Sequence, residues 1–182
     1  MQPVAITDQT RPFDPAGAAP KRDDDAKTLD IGSASVQIKV SGPQAGGCFS
    51  LIEYRIAPRT LVAPLHRHTW EDEHSYVLEG QLAAVIGEEV IYADAGGLLF
   101  KPRRLWHTVW NPDEAPCRIL EIISPGGFER FFEELASVLQ RPAGHGARRG
   151  ELGERYSVDS DFDSVRRLCV EHGLRHPPLE PG

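Results

Sequence analysis

Leu65-His66-Arg67-His68-Thr69-Trp70-Glu71-Asp72-Glu73 is the stretch whose reading decides the fold. In an extended strand, residues i and i+2 face the same way. His66 and His68 therefore look into one space and Arg67 looks away. After a bend at Thr69-Trp70, Glu73 returns to that space, followed at the same parity by Ser75, Val77 and Glu79. Asp72 and His74 have the opposite parity. Gly80 ends this strand. A second cluster, Pro102, His107 and Asn111, follows the turn-like Lys101-Pro102-Arg103-Arg104. Together, His66, His68, Glu73 and His107 form a set of three imidazoles and one carboxylate suited to a single divalent transition metal.

The surrounding sequence is strand-rich. Val36, Ile38 and Val40 alternate with polar residues up to the turn Ser41-Gly42-Pro43. Strands are also expected at Phe49–Ile56, Tyr76–Gly80, Leu98–Phe100, Trp106–Trp110 and Cys117–Ile123. Gln81–Ile86 and Val90–Tyr92 flank Gly87-Glu88-Glu89 as a hairpin. Many short strands without intervening helices indicate an all-β antiparallel sandwich or barrel. No internal repeat is visible, so one barrel is expected. Residues 1–28, rich in Pro, Asp and Lys, read as a loose arm. Residues 29–125 read as the barrel and 126–182 as a helical extension.

That extension begins with an amphipathic helix after Gly126-Gly127. Phe128, Phe131, Phe132, Leu135 and Leu139 share one face, and Glu129 sits in the first turn, where the helix dipole favours it. Packing against the barrel is the simplest role for this face, with lining of a ligand site the alternative. Gly144 to Gly153 reads as a flexible linker. A second helix spans about Asp161 to His172, with Phe162, Val165, Leu168 and Cys169 inward and Gly173 as its left-handed cap.

The chain of 182 residues has a formal charge of −7, which argues against polyanion binding. Arg148-Arg149 reads as part of a solvated loop. Cys48, Cys117 and Cys169 form no CxxC pair and read as reduced thiols. The N-terminal residues lack the pattern of a signal peptide, and no apolar run approaches a membrane helix. A cytoplasmic location is expected, with a small-molecule substrate and neither nucleic acid nor membrane as partner. A homodimer is expected, paired through the first strands and the arm, because open strand edges seek partners.

Zinc, iron, nickel, manganese, copper and cobalt all accept a mixed imidazole and carboxylate donor set. The cluster has no thiolate, unlike most closed structural zinc sites. Four protein ligands leave room for water, dioxygen or a bidentate substrate on an ion that prefers five or six. Glu73 is the expected catalytic residue, a ligand that also serves as base when it loosens. Tyr76, Phe100, Trp106 and Trp110 are expected pocket walls, although Trp106 and Trp110 have the opposite parity to His107. His74, His145, His172 and His176 read as packing or solvent-facing residues.

These residues resemble the two motifs of the cupin superfamily. The first, G-x5-H-x-H-x3–4-E-x6-G, runs from Thr60 through His66, His68 and Glu73 to Gly80. The second, G-x5-P-x-G-x2-H-x3-N, runs from Gly96 through Pro102, Arg104 and His107 to Asn111. Thr60 and Arg104 stand where glycines are usual, which questions the backbone geometry at both positions. Asp72-Glu73, Tyr76–Gly80 and Ser124–Glu134 look like single-domain bacterial cupins related to quercetin dioxygenase. The resemblance implies a jelly-roll barrel, one bound metal ion and a dioxygenase acting on a small aromatic or enolisable substrate. The same superfamily includes redox-neutral isomerases, cyclases and lyases, and non-catalytic binders, which remain alternatives.

Overall fold

Alternation of apolar and polar side chains lays the chain into two layers of strands, because each layer must bury one face. A computed structural model describes residues 27–140 and 145–177. In chain order the strands are β1 (Thr28–Asp30), β2 (Ala34–Val40), β3 (Ser50–Ile56), β4 (Thr60–Leu61), β5 (Leu65–His68) and β6 (Asp72–Glu79). They continue with β7 (Gln81–Ile86), β8 (Glu89–Asp94), β9 (Leu98–Lys101), β10 (His107–Asn111), β11 (Cys117–Ser124) and β12 (Val158–Asp161). The first sheet has the order β1-β2-β3-β11-β6-β9, and the second β12-β5-β10-β7-β8 with β4 also on β10. The strand pairs within both sheets are antiparallel. The fold is the expected two-sheet cupin barrel. Of the expected arm over residues 1–28, residues 1–26 lie outside the described residues, as does the side chain of His145, while Thr28 opens β1.

The inner faces interdigitate through Val36, Ile52, Ile56, Val77, Leu82, Ile119 and Ile123, all buried. Each such side chain stabilises the fold by about 1.5–3 kcal/mol relative to exposure. A smaller cluster on the outer face of the second sheet joins Leu61, Ala83 and Trp110 to Val165 and Leu168. Those last two lie on α3 (Ser164–His172), which ends at Gly173 in the left-handed conformation, as its sequence requires. No helix among the described residues is long and apolar enough to cross a membrane.

Two further helices cover the barrel, α1 (Glu129–Leu139) and α2 (His145–Arg155). The start of α1 is anchored by Glu129, which is buried. Its carboxylate accepts hydrogen bonds from the Gly42 and Gly127 amides, each 2.8 Å, and from the Ser50 hydroxyl. Gly42 cannot carry a side chain, since an added Cβ would lie 2.6 Å from the Gly127 nitrogen.

Four expectations are corrected here. The stretch Gly144 to Gly153, expected as a flexible linker, is helical over its described residues 145–153, which belong to α2, with Leu152 buried. Tertiary contact outweighs the helix-weakening effect of glycine here, and an added Cβ at Gly153 would lie 3.0 Å from the Val158 carbonyl. The stretch expected to be purely helical also returns a strand, β12, which pairs with β5. The last helix accordingly starts at Ser164, and Phe162 is partly exposed before it instead of packing inward with Val165. Thr60 is an ordinary strand residue paired with Asn111. The left-handed conformations fall on Arg59 and Arg104 instead, so only Arg104 occupies a motif position where glycine would relieve the backbone.

Candidate metal centre and cavity

His66 and His68 come from β5 and point inward, as their parity requires. β10 pairs antiparallel with β5 so that His107 sits directly opposite His66. Paired residues share a face, which brings these rings to a centroid distance of 4.5 Å. His68 lies 5.2 Å from His66 and 5.6 Å from His107, ring to ring. Glu73 arrives from β6 in the other sheet, so the cluster bridges the two layers of the barrel. Its Oε1 lies 3.4 Å from His68 Nε2, and its Oε2 lies 3.2 Å from His107 Nε2. One donor atom from each of His66, His68, Glu73 and His107 lies within 4.8 Å of the others.

The protonation pattern suits a cation. His66 Nδ1 donates to the Pro64 carbonyl at 2.8 Å, and His107 Nδ1 donates to the Leu105 carbonyl at 2.9 Å. Each bond leaves Nε2 with a free lone pair facing the centre. Nε2 of His68 and of His107 are buried without a hydrogen-bond partner among the described residues. Unsatisfied buried nitrogens cost free energy unless something occupies the space between them. Burial above all, in the company of the His107 and His68 rings, holds the His66 imidazole well below its ordinary value and so neutral. Burial pushes the Glu73 carboxyl up, but the Lys101 charge and the neighbouring imidazoles overcome it and keep the acid well below its usual range. A neutral His66 imidazole beside an ionised Glu73 carboxylate supplies the donor forms a divalent ion needs.

Behind Glu73 stands a pair that sequence reasoning missed. Lys101 Nζ lies 2.9 Å from Glu73 Oε2 and 3.1 Å from Glu121 Oε2. Ser75 donates to Glu121 at 2.7 Å. Burial raises the Glu121 carboxyl to about 7, against the opposing pull of Lys101. Glu121 had a signal in the sequence: it falls on the inward row Cys117, Ile119, Glu121, Ile123 of an otherwise apolar strand. Lys101 had none, because only pairing of β9 with β6 brings it opposite Glu73.

The cluster opens into a cavity of about 110 Å³ whose walls include His66, His68, Glu73, Lys101 and Glu121. Phe128, Phe131, Phe132, Leu135 and Leu139 line it too, so the apolar face of α1 does more than pack. The expected pocket walls are corrected. Tyr76 and Phe100 point outward from the first sheet and are partly exposed. Trp106 lies under the Arg67 guanidinium, 4.9 Å from it. Trp110 is buried on the outer face of the second sheet and stacks on His172 at 4.6 Å. None of these four lines the cavity. Their shared parity, opposite to the inward row of each strand, accounts for it. Asn111 is structural: its amide donates to the carbonyls of Ile56, Ala57 and Ala115. His74 stacks on Phe100 at the surface, and His176 is buried.

Fold and cluster define a class: an antiparallel two-sheet barrel whose interior carries three imidazoles and a carboxylate, consistent with a metal centre. Residues 52–123 match the family model described as a cupin domain. The structure of KdgF from Halomonas is similar at a TM-score of 0.53 and 15% identity, over 60% of this chain and 96% of that one. A sugar phosphate isomerase of the cupin superfamily from Silicibacter pomeroyi is similar at 0.51 and 22% identity, over 58% and 75%. An RmlC-like cupin from Shewanella frigidimarina gives 0.50 and 16%, over 60% and 93%. At these identities the likeness is one of fold. No curated protein gives a significant match.

Proposed function

We propose that this chain is a metal-dependent cupin enzyme acting on a small aromatic or enolisable substrate, and that dioxygenation of a quercetin-like compound is its reaction. The observation that carries this reading is the opening of the His66, His68, Glu73 and His107 cluster into a cavity walled by the phenylalanines of α1. Those four residues would hold one divalent transition metal. The ion, when bound, would supply Lewis acidity and open positions for a substrate oxygen. Phe128 and Phe132 hold the substrate's apolar body and exclude water. Glu73 takes the proton released as an acidic hydroxyl ionises. Lys101 bridges Glu73 and Glu121, so that a proton gained at Glu73 passes through the ammonium to Glu121 Oε2.

The same pair favours a second reading, a redox-neutral isomerase, cyclase or lyase. A carboxyl titrating at about 7 exchanges protons readily near neutral pH. The test is turnover of flavonols and 1,3-diketones by protein stripped of metal and reloaded with iron, nickel, manganese or cobalt. Oxygen uptake matching substrate loss supports the dioxygenase. Equal turnover without oxygen supports the redox-neutral enzyme. Tight binding of substrate with no turnover under either atmosphere overturns both in favour of a binding protein.

A further inference from the structure

One wall of the cavity carries a cation that the metal cluster does not use. Arg149 lies on α2, in the stretch whose sequence reads as a solvated loop, yet it lines the cavity. Its guanidinium sits 5.6 Å from the centroid of the Phe162 ring, which also lines the cavity. No carboxylate among the described residues forms an ion pair with it, whereas Lys101 in the same cavity is held between two. Burial alone lowers its pKa, with no acidic neighbour to offset the effect. Arg149 is half-buried, and a guanidinium partly withdrawn from water without a counter-charge is costly, a cost that an anionic ligand lowers.

A second, independent group lies in the same cavity. His176 is 4% exposed and lines the space with Arg149. Its Nδ1 donates to the Leu61 carbonyl at 2.9 Å, which fixes the ring. Its Nε2 is buried without a partner among the described residues. The charge of Arg149 is felt at His176, which places the two groups near one another. The Ser160 hydroxyl joins this lining, because Ser160 pairs opposite the inward-facing His66.

We propose that Arg149, with His176, is a seat for a carboxylate of the substrate. The ligand class is a monoanionic acid with an aromatic or apolar body. The carboxylate takes the fork of Arg149 and draws a proton onto Nε2 of His176, which the Nδ1 bond to Leu61 otherwise leaves as a lone pair. The body lies against the phenylalanines of α1. A planar carboxylate matches the guanidinium fork in shape and carries a single charge. This inference rests on the reading of the cavity as a substrate site, but not on the presence of an ion.

The test is calorimetric binding of a series of acids, benzoate through 4-phenylbutanoate, and of the matching phenylalkyl alcohols. The full chain is used as purified and again after chelation, so that an ion cannot supply the charge. At one or more chain lengths the acid binds about tenfold or more tightly than its alcohol, as a charge-assisted pair predicts. Arg149→Gln abolishes this preference, and Arg149→Lys keeps part of it. Metal content, measured in parallel, is unchanged in both variants. Equal affinity for acid and alcohol at every length overturns the proposal, as does a preference that survives in Arg149→Gln or failure of every acid to bind. Failure of the metal reading would show separately, as protein that takes up no ion while still preferring acids.

Discussion

Lys101→Met is the most informative single change to the barrel. Lys101 is 3% exposed, and its two carboxylate partners, Glu73 and Glu121, are buried with it. Removing one partner from a buried ion pair typically costs about 3–5 kcal/mol, because the remaining charge is left uncompensated. Without an ion, Glu73 and Glu121 would face one another with no cation between them. The expected loss is therefore about 3–5 kcal/mol in chelator, or about 6–20 °C in melting temperature for a chain of this size. A divalent ion on Glu73 would replace the missing charge. Glu121, already raised to about 7, would take up a proton. The loss should then shrink to roughly 1–2 kcal/mol, the scale of the hydrogen bonds that go with the ammonium. Urea unfolding at pH 7, with chelator and with saturating ion, measures both values. A loss below about 1 kcal/mol in chelator would refute the assignment of Lys101 as counter-ion. Equal losses in the two conditions would refute the sharing of Glu73 between lysine and ion.

The two other predictions concern the cluster and the base of α1. His66→Ala or His107→Ala should sharply lower metal content while the far-ultraviolet circular dichroism stays β-rich, and Arg67→Ala, bonded to Asp159 at 2.8 Å on the outside, should leave metal content unchanged. Elemental analysis decides this, and full occupancy in either histidine variant removes that residue from the ligand set. Burial raises the Glu129 carboxyl, but its hydrogen bonds prevail and hold it below its ordinary 4.5. The stability it contributes is present above that value and is lost as pH falls through the lowered folded value. Glu129→Gln should thus be less stable than the parent at pH 7 and should converge with it in acid. A constant gap across an acid titration of unfolding would contradict this.

Strand parity made much of the barrel legible. Inward rows such as Ile52, Tyr54 and Ile56, or Ile119, Glu121 and Ile123, follow from the two-residue period of a strand. The opposite parity of Trp106 and Trp110 to His107 likewise accounts for their absence from the cavity. The C-terminal region was less legible. Four glycines between Gly144 and Gly153 read locally as flexibility, whereas close approach of the helix to Val158 makes Gly153 a packing residue. The strand Val158–Asp161 is short and polar, and β5 alone gives it a partner.

The sequence by itself determined that His66 and His68 share a face, that Glu73 follows at matching parity, and that an apolar helix face comes after the last long strand. Those are consequences of local periodicity, which every few residues carry with them. Tertiary structure decided what they meet. Glu73 reaches the histidines from the opposite sheet, Lys101 reaches Glu73 through the pairing of β9 with β6, and Arg149 enters the cavity from a helix distant in sequence. Such contacts depend on sheet order and register, which no local period encodes.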